Sequence, residues 1–123
     1  MPTTTSFNAY HIYTLRKSFP LGRQTVDRVL LLTNSLLSNR PEQTLVSVIP
    51  LVDTTIERGS KLSIAFVARR DRRIGGDAFH TLYGNIGSVM PMPRIAMKPT
   101  SGVPILMQEE KDLKAKLANY YGL

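Results

Sequence analysis

The sequence predicts an α+β protein: a single domain with a curved antiparallel or mixed sheet, helices packed on one side, and a helix at the C-terminus. Three observations carry that expectation. Apolar runs rich in β-branched and aromatic residues recur at residues 7–15, 44–52 and 62–66, as strands require. Other stretches, at residues 23–39 and 108–121, space their apolar residues three and four apart, as helices require. Nothing repeats at a fixed period and no linker divides the 123 residues, a length suited to one core.

In chain order, MPTTTS at residues 1–6 reads as a flexible N-terminus, and residues 7–123 as the folded domain. The run FNAYHIYTL alternates and is expected to be the first strand, with Arg16 and Lys17 starting a solvated exit and Phe19-Pro20-Leu21-Gly22 resetting the backbone. Val26, Val29, Leu30, Thr33 and Leu37 fall at i, i+3, i+4, i+7 and i+11, which predicts a core helix over 23–39, stopped by Asn39-Arg40-Pro41. TLVSVIPLV at 44–52 is almost continuously apolar and predicts a strand covered on both faces, with Pro50 at a bulge, at an edge or past the last ladder bond. The polar connection 53–60, containing Glu57-Arg58-Gly59, then leads into Leu62, Ile64 and Phe66 as the second half of a hairpin.

Beyond that strand, Asp77 is placed to N-cap a short helix with Phe79, Leu82, Tyr83 and Ile86 on one face and Gly87 at its end. Residues 90–107 form an arm rich in proline and methionine, where Pro91, Pro93, Pro99 and Pro104 limit regular structure to a brief strand at 94–98. The closing helix at 108–121 carries Leu113, Leu117 and Tyr120 at i, i+4 and i+7, its acids early and its lysines late, which suits the helix dipole. The resulting β-α-β-β-α-β order, followed by α, fits a ferredoxin-like sheet or a curved sheet with helices on one side.

Sixteen Lys and Arg against nine Asp and Glu give a net charge of +7, and because residues 108–123 sum to zero the whole excess lies before them. Such a field favours an anionic partner: nucleic acid, RNA ahead of DNA, or a ribonucleoprotein, or an acidic membrane surface touched peripherally. The absence of cysteine excludes disulfides, thiolate catalysis and cysteine-ligated zinc. His11 and His80 stand far apart with no H-x-x-x-H spacing and no nearby carboxylate pair, so no catalytic residue, metal or cofactor is assigned. Gly75, Gly76, Gly84 and Gly87 form no phosphate-loop pattern. No apolar run approaches the ~20 residues of a membrane span, and the start lacks a signal-peptide layout, so an intracellular protein is expected.

Two groups of residues are candidates for contact. Arg69, Arg70, Arg72 and Arg73, directly after an apolar strand, together with Arg16 and Lys17, have the donor forks to grip phosphates, or else simply solvate their turns. Tyr10, Tyr13 and Tyr83 could stack on bases or sit in the core. Met90, Met92, Ile95 and Met97 in the arm could pack on another copy, giving a homo-oligomer, or dip into lipid, or cover the protein's own core.

The order of YHIYTLRKSF, QTVDRVLLLTNSLL, NRPEQTLVSVIPLVD and GSKLSIAFVARRD resembles the strand-helix-strand core of rhabdovirus-type matrix proteins. That resemblance implies a basic, self-assembling protein bridging a ribonucleoprotein and an acidic membrane. LSIAFVARRDRRIGGDAFHTLY is also similar in pattern to the central segment of plant-virus movement proteins, which bind single-stranded RNA, although Ala68 stands where that family has aspartate. The expectation is therefore a non-enzymatic viral structural or accessory protein that self-assembles and binds nucleic acid or acidic membrane through a basic face. An RNA-binding movement or silencing-suppressor protein is the alternative, and a small enzyme or enzyme subunit, with His11 or His80 beside a carboxylate in a cleft, is the alternative of another class.

Overall fold

The structure, a computed structural model, describes residues 6–33, 35–36, 45–53, 62–69 and 79–122. Among them, nine strands precede one helix: β1 Ser6–Phe7, β2 His11–Leu21, β3 Gln24–Leu31, β4 Ser35–Leu36, β5 Leu45–Leu51, β6 Ser63–Arg69, β7 Phe79–Asn85, β8 Met90–Pro93, β9 Val103–Pro104 and α1 Met107–Tyr121. Five of them form an antiparallel sheet in the order β8-β5-β3-β2-β9, while β1 pairs with β4 and β6 with β7. The class is α+β, with the C-terminal helix in place. Ser6, expected within the free N-terminus, pairs with Leu36.

The two internal helices are strands instead. Residues 24–31 return along β2, with Leu21 opposite Gln24 across a two-residue turn in which Gly22 takes φ +61°. Glycine at the first central position with positive φ is hairpin chemistry, so the turn reverses the chain rather than launching a helix. Leu30 and Leu31 are both fully buried but in different clusters, on opposite faces of the sheet. A strand buried on both sides has a continuous apolar run, and such a run satisfies helical spacing by accident. Phe79–Asn85 likewise pairs along all of β6, with Leu82 and Gly84 buried between partly exposed Thr81, Tyr83 and Asn85. The proposed cap Asp77 lies outside the described residues. Gly87 falls in a 3-10 turn, Ile86–Ser88, where its amide donates to Asn85 Oδ1 at 2.7 Å.

Three other expectations change in detail. The expected hairpin between residues 44–52 and 62–66 does not form: β5 is flanked by β3 and β8, and β6 pairs with β7. The brief strand at 94–98 is a 3-10 turn at Arg94–Ala96, and the paired segment lies before it as β8. The described strands therefore do not follow the ferredoxin-like order. Pro50 remains paired with Val29 on the β3 side, and only on the other side does it lie past the last paired residue, because β8 accompanies β5 only to Val48 and β7 takes over at Val52, whose amide donates to Tyr83 O at 2.9 Å. By the two-residue period the missing amide of Pro50 points to that same side, into the gap between the two neighbours, where no donor is required.

Both faces of the five-stranded sheet are covered. Tyr13, Val29, Leu31, Val48, Met92 and Met97 belong to one cluster. Ile12, Leu30, Ile49 and Leu51 pack with Ile64, Phe66 and Leu82 of the β6–β7 pair and with Leu113 of α1 in the other. Among the described residues no helix is long and apolar enough to cross a membrane.

Candidate polyanion-binding face

The basic residues that the structure brings together lie where β2 leaves the regular ladder. Thr14 is opposite Arg28 and Phe19 is opposite Val26, so Leu15, Arg16, Lys17 and Ser18 span an interval that Asp27 alone spans on β3. An insertion of this kind bends its strand and re-aims side chains outward. Leu15 stays in the core, whereas Arg16, Lys17 and Ser18 are exposed.

Residues 94–104 run along the outer edge of this strand and bring a further exposed cation, Lys98, beside the first two. Leu15 bridges to Met97, the Lys98 amide donates to Thr14 O at 2.9 Å, and β9 pairs with His11 and Ile12. The chain reverses at Lys98, whose carbonyl accepts the Ser101 amide at 3.2 Å and the Ser101 hydroxyl at 2.7 Å. The same hydroxyl accepts the Thr14 amide at 2.9 Å. Arg16 closes the arrangement by donating from Nε to Ile95 O at 2.9 Å. Arg16, Lys17 and Lys98 thus share one region although about 80 residues separate the two segments, and no described acid forms an ion pair with any of the three. Arg94, in the same segment, is 2 % exposed and the sole buried charged side chain among the described residues.

Sequence reasoning identified Arg16 and Lys17 but not Lys98, since only the docking of the 94–104 segment makes them neighbours. Arg69 ends β6 opposite Phe79. Its side chain lies outside the described set, as do Arg70, Arg72 and Arg73, which belong to the nine-residue connection between the paired ends of β6 and β7.

The methionine-rich arm is corrected. Met92 and Met97 are buried, at 5 % and 0 % exposure, and Met90 packs partly buried against the same cluster, so these three cover the protein's own core. Ile95 alone of the four points outward, 45 % exposed. Tyr13 is core, its ring edge-on to Phe7 and its hydroxyl accepting the Asn8 amide at 2.7 Å. Tyr83 packs partly buried against that cluster, and Tyr10 has Lys114 Nζ 4.9 Å from its ring centroid. None of the three offers an open stacking platform. His11 stacks at 6.4 Å on Tyr13 with Nδ1 3.1 Å from Ala9 O. The His80 side chain is outside the described set. A shallow cleft of about 360 Å³ beside the β2–β3 turn is lined by Leu21, Arg23, Gln24, Val52, Asn85 and Ser88, without a histidine or a carboxylate. Compared with protein-family models and with curated proteins, the chain matches none, and the functional reading rests on the geometry and charge of this face.

Proposed function

We propose that this is a non-enzymatic structural or accessory protein that binds RNA electrostatically through the face built by Arg16, Lys17 and Lys98. The observation that carries the reading is that the docking of residues 94–104 along β2 places Lys98 beside the exposed Arg16 and Lys17, with no described acid to pair with them. A docked backbone presents its cations to phosphates with less ordering on binding than a free segment would need, and the Arg16 side chain is already held by the Ile95 carbonyl. RNA stands ahead of a bilayer because the amphipathic element a membrane would engage, α1, lies in a segment whose charges cancel, while the cations that no described acid pairs with lie on the bulged strand and its neighbouring turn. The similarity in pattern of LSIAFVARRDRRIGGDAFHTLY to the central segment of movement proteins, which bind single-stranded RNA, is in line with this reading, whereas the resemblance to the strand-helix-strand core of matrix proteins lends it none, since QTVDRVLL is the strand β3.

The test is a salt titration of binding to single-stranded RNA, duplex DNA and anionic vesicles. Replacing Arg16, Lys17 and Lys98 by Gln should lower the slope of log affinity against log salt by roughly 0.7 for each phosphate of single-stranded RNA that the variant fails to neutralise. A parallel variant with Arg69, Arg70, Arg72 and Arg73 replaced measures the share of the β6–β7 connection. An unchanged slope in the first variant would reject this face, and salt-sensitive binding confined to vesicles would replace RNA by lipid.

A further inference from the structure

Ser18 is the last exposed residue of the β2 insertion and directly follows Arg16 and Lys17. Of the serines and threonines in the sequence, it alone has two cations immediately before it. Its hydroxyl makes no hydrogen bond among the described residues, whereas the Ser101 hydroxyl nearby is engaged by both Lys98 O and the Thr14 amide. The backbone is open here as well. Its ladder to β3 lapses between Thr14 and Phe19, and on the outer side the described backbone pairing ends at the Leu15–Met97 bridge. Arg16 is engaged through Nε alone, at Ile95 O, so among the described residues its terminal guanidinium nitrogens have no partner. An extended, exposed stretch with cations ahead of a hydroxyl matches the charge pattern that basophilic protein kinases select in a substrate.

We propose that Ser18 is a phosphorylation site whose modification switches off the polyanion-binding face; the effect rests on the RNA reading, the modification itself does not. In the reaction the Ser18 hydroxyl oxygen attacks the γ-phosphorus of a nucleoside triphosphate held by the kinase. A new P–O bond forms as the bond to the β–γ bridging oxygen breaks, the nucleoside diphosphate leaves, and the hydroxyl proton passes to a carboxylate of the kinase. The product carries about −1.5 to −2 charges at neutral pH and three acceptor oxygens. Lys17 and Arg16 stand one and two residues away, roughly 7 Å of strand at most, inside the ~8 Å screening length at physiological salt. Three cations, Arg16, Lys17 and Lys98, against Asp27 on the facing strand give this face a local charge of +2, which one phosphoserine cancels. The same phosphate accepts from the donors that would otherwise grip RNA.

The test treats the full chain with ATP, magnesium and a basophilic protein kinase, locates added phosphate by peptide mass mapping, and titrates oligouridylate binding against salt. Ser18→Ala, with far-ultraviolet dichroism to confirm folding, is the control. Phosphate should appear on Ser18 of the wild type, and the kinase should leave the RNA affinity of Ser18→Ala unchanged. The modified wild type should bind oligouridylate at least about tenfold more weakly at low salt, its salt slope lowered by roughly 1.4, the value for two RNA phosphates no longer neutralised. Because the site is mapped without RNA, the two readings fail separately. No phosphate on Ser18, or a phosphate there that leaves affinity and slope unchanged, would overturn the proposal while the RNA reading stands. An unmodified chain that binds no RNA would remove the RNA reading and the switch with it, and a phosphate mapped to Ser18 would then stand alone.

Discussion

Glu109 of α1 accepts the backbone amide of Val67 at 2.9 Å, so the helix satisfies a donor on the edge of β6 that faces away from β7. Lys116 repeats the device further along, donating from Nζ to Ser63 O at 2.8 Å. The helix therefore runs antiparallel to β6 and shields an edge that could otherwise recruit another strand. Glu109 does double service, because its other oxygen caps the Leu106 amide at the start of α1; Leu106 has no side-chain acceptor to return the bond.

Replacing Glu109 by Ala should cost about 1–2 kcal/mol in urea unfolding, as loss of a cap and of a charge-assisted bond does. Glu109→Gln, which keeps an oxygen acceptor, should cost less. Hydrogen exchange at the Val67 amide should quicken in the Ala variant before global unfolding does. Unchanged exchange there would show that the edge is protected by something other than this carboxylate.

Gly84 marks the close passage of β7 over β5. A Cβ at this position would lie 2.8 Å from Ile49 Cγ2 and 3.0 Å from Leu51 Cδ2, both on fully packed side chains. Gly84→Ala should therefore destabilise by roughly 1–3 kcal/mol through overpacking. Gly102→Ala should act similarly, since its Cβ would meet the Tyr13 ring at 2.8 Å, and should disturb the near-ultraviolet dichroism of that tyrosine. A wild-type melting temperature for Gly84→Ala would mean that the two strands separate without cost.

The α+β class and the closing helix were legible because α1 has a clean apolar spacing of Leu113 and Leu117 and a polar remainder. β3 and β7 were not. Val29, Leu30 and Leu31 are consecutive, and only knowledge of a covering layer on each face of the sheet tells a two-sided strand from a core helix. The turn at Gly22 was recognised as a turn, yet its two-residue spacing between Leu21 and Gln24 is what specifies a hairpin. Arg16 and Lys17 could be named from sequence as exposed cations, whereas Lys98 joins them through bonds to Thr14 that span more than 80 residues and leave no local trace.

Met97 and Ile95 should separate packing from contact. Met97 is fully buried against the cluster around Tyr13 and Val29, so Met97→Ala should cost about 2–5 kcal/mol. Ile95→Ala, two residues away but 45 % exposed, should change stability by no more than about 0.5 kcal/mol. Thermal unfolding of both variants checks the pair, and equal losses would place Ile95 in the core and remove it from any association surface.

The last turn of α1 is held by a group with a titratable proton. Tyr121 donates its hydroxyl to Ile86 O at 2.9 Å, and desolvation, with the neighbouring Tyr120 contributing less, raises its pKa above the ordinary 10.0. A folded-state pKa above the unfolded one means that the native chain holds its proton more tightly. The stabilisation is therefore fully present below about pH 10 and is lost as pH rises through the folded value. Melting temperature followed from neutral to strongly alkaline pH should fall faster for the wild type than for Tyr121→Phe once pH passes about 10, because only the wild type loses a donor to Ile86. Parallel curves for the two proteins would show that the hydroxyl contributes nothing to docking this turn. In that case the C-terminal half of α1 is held by Leu113, Leu117 and the Lys116 bond to Ser63 O, without help from this hydroxyl.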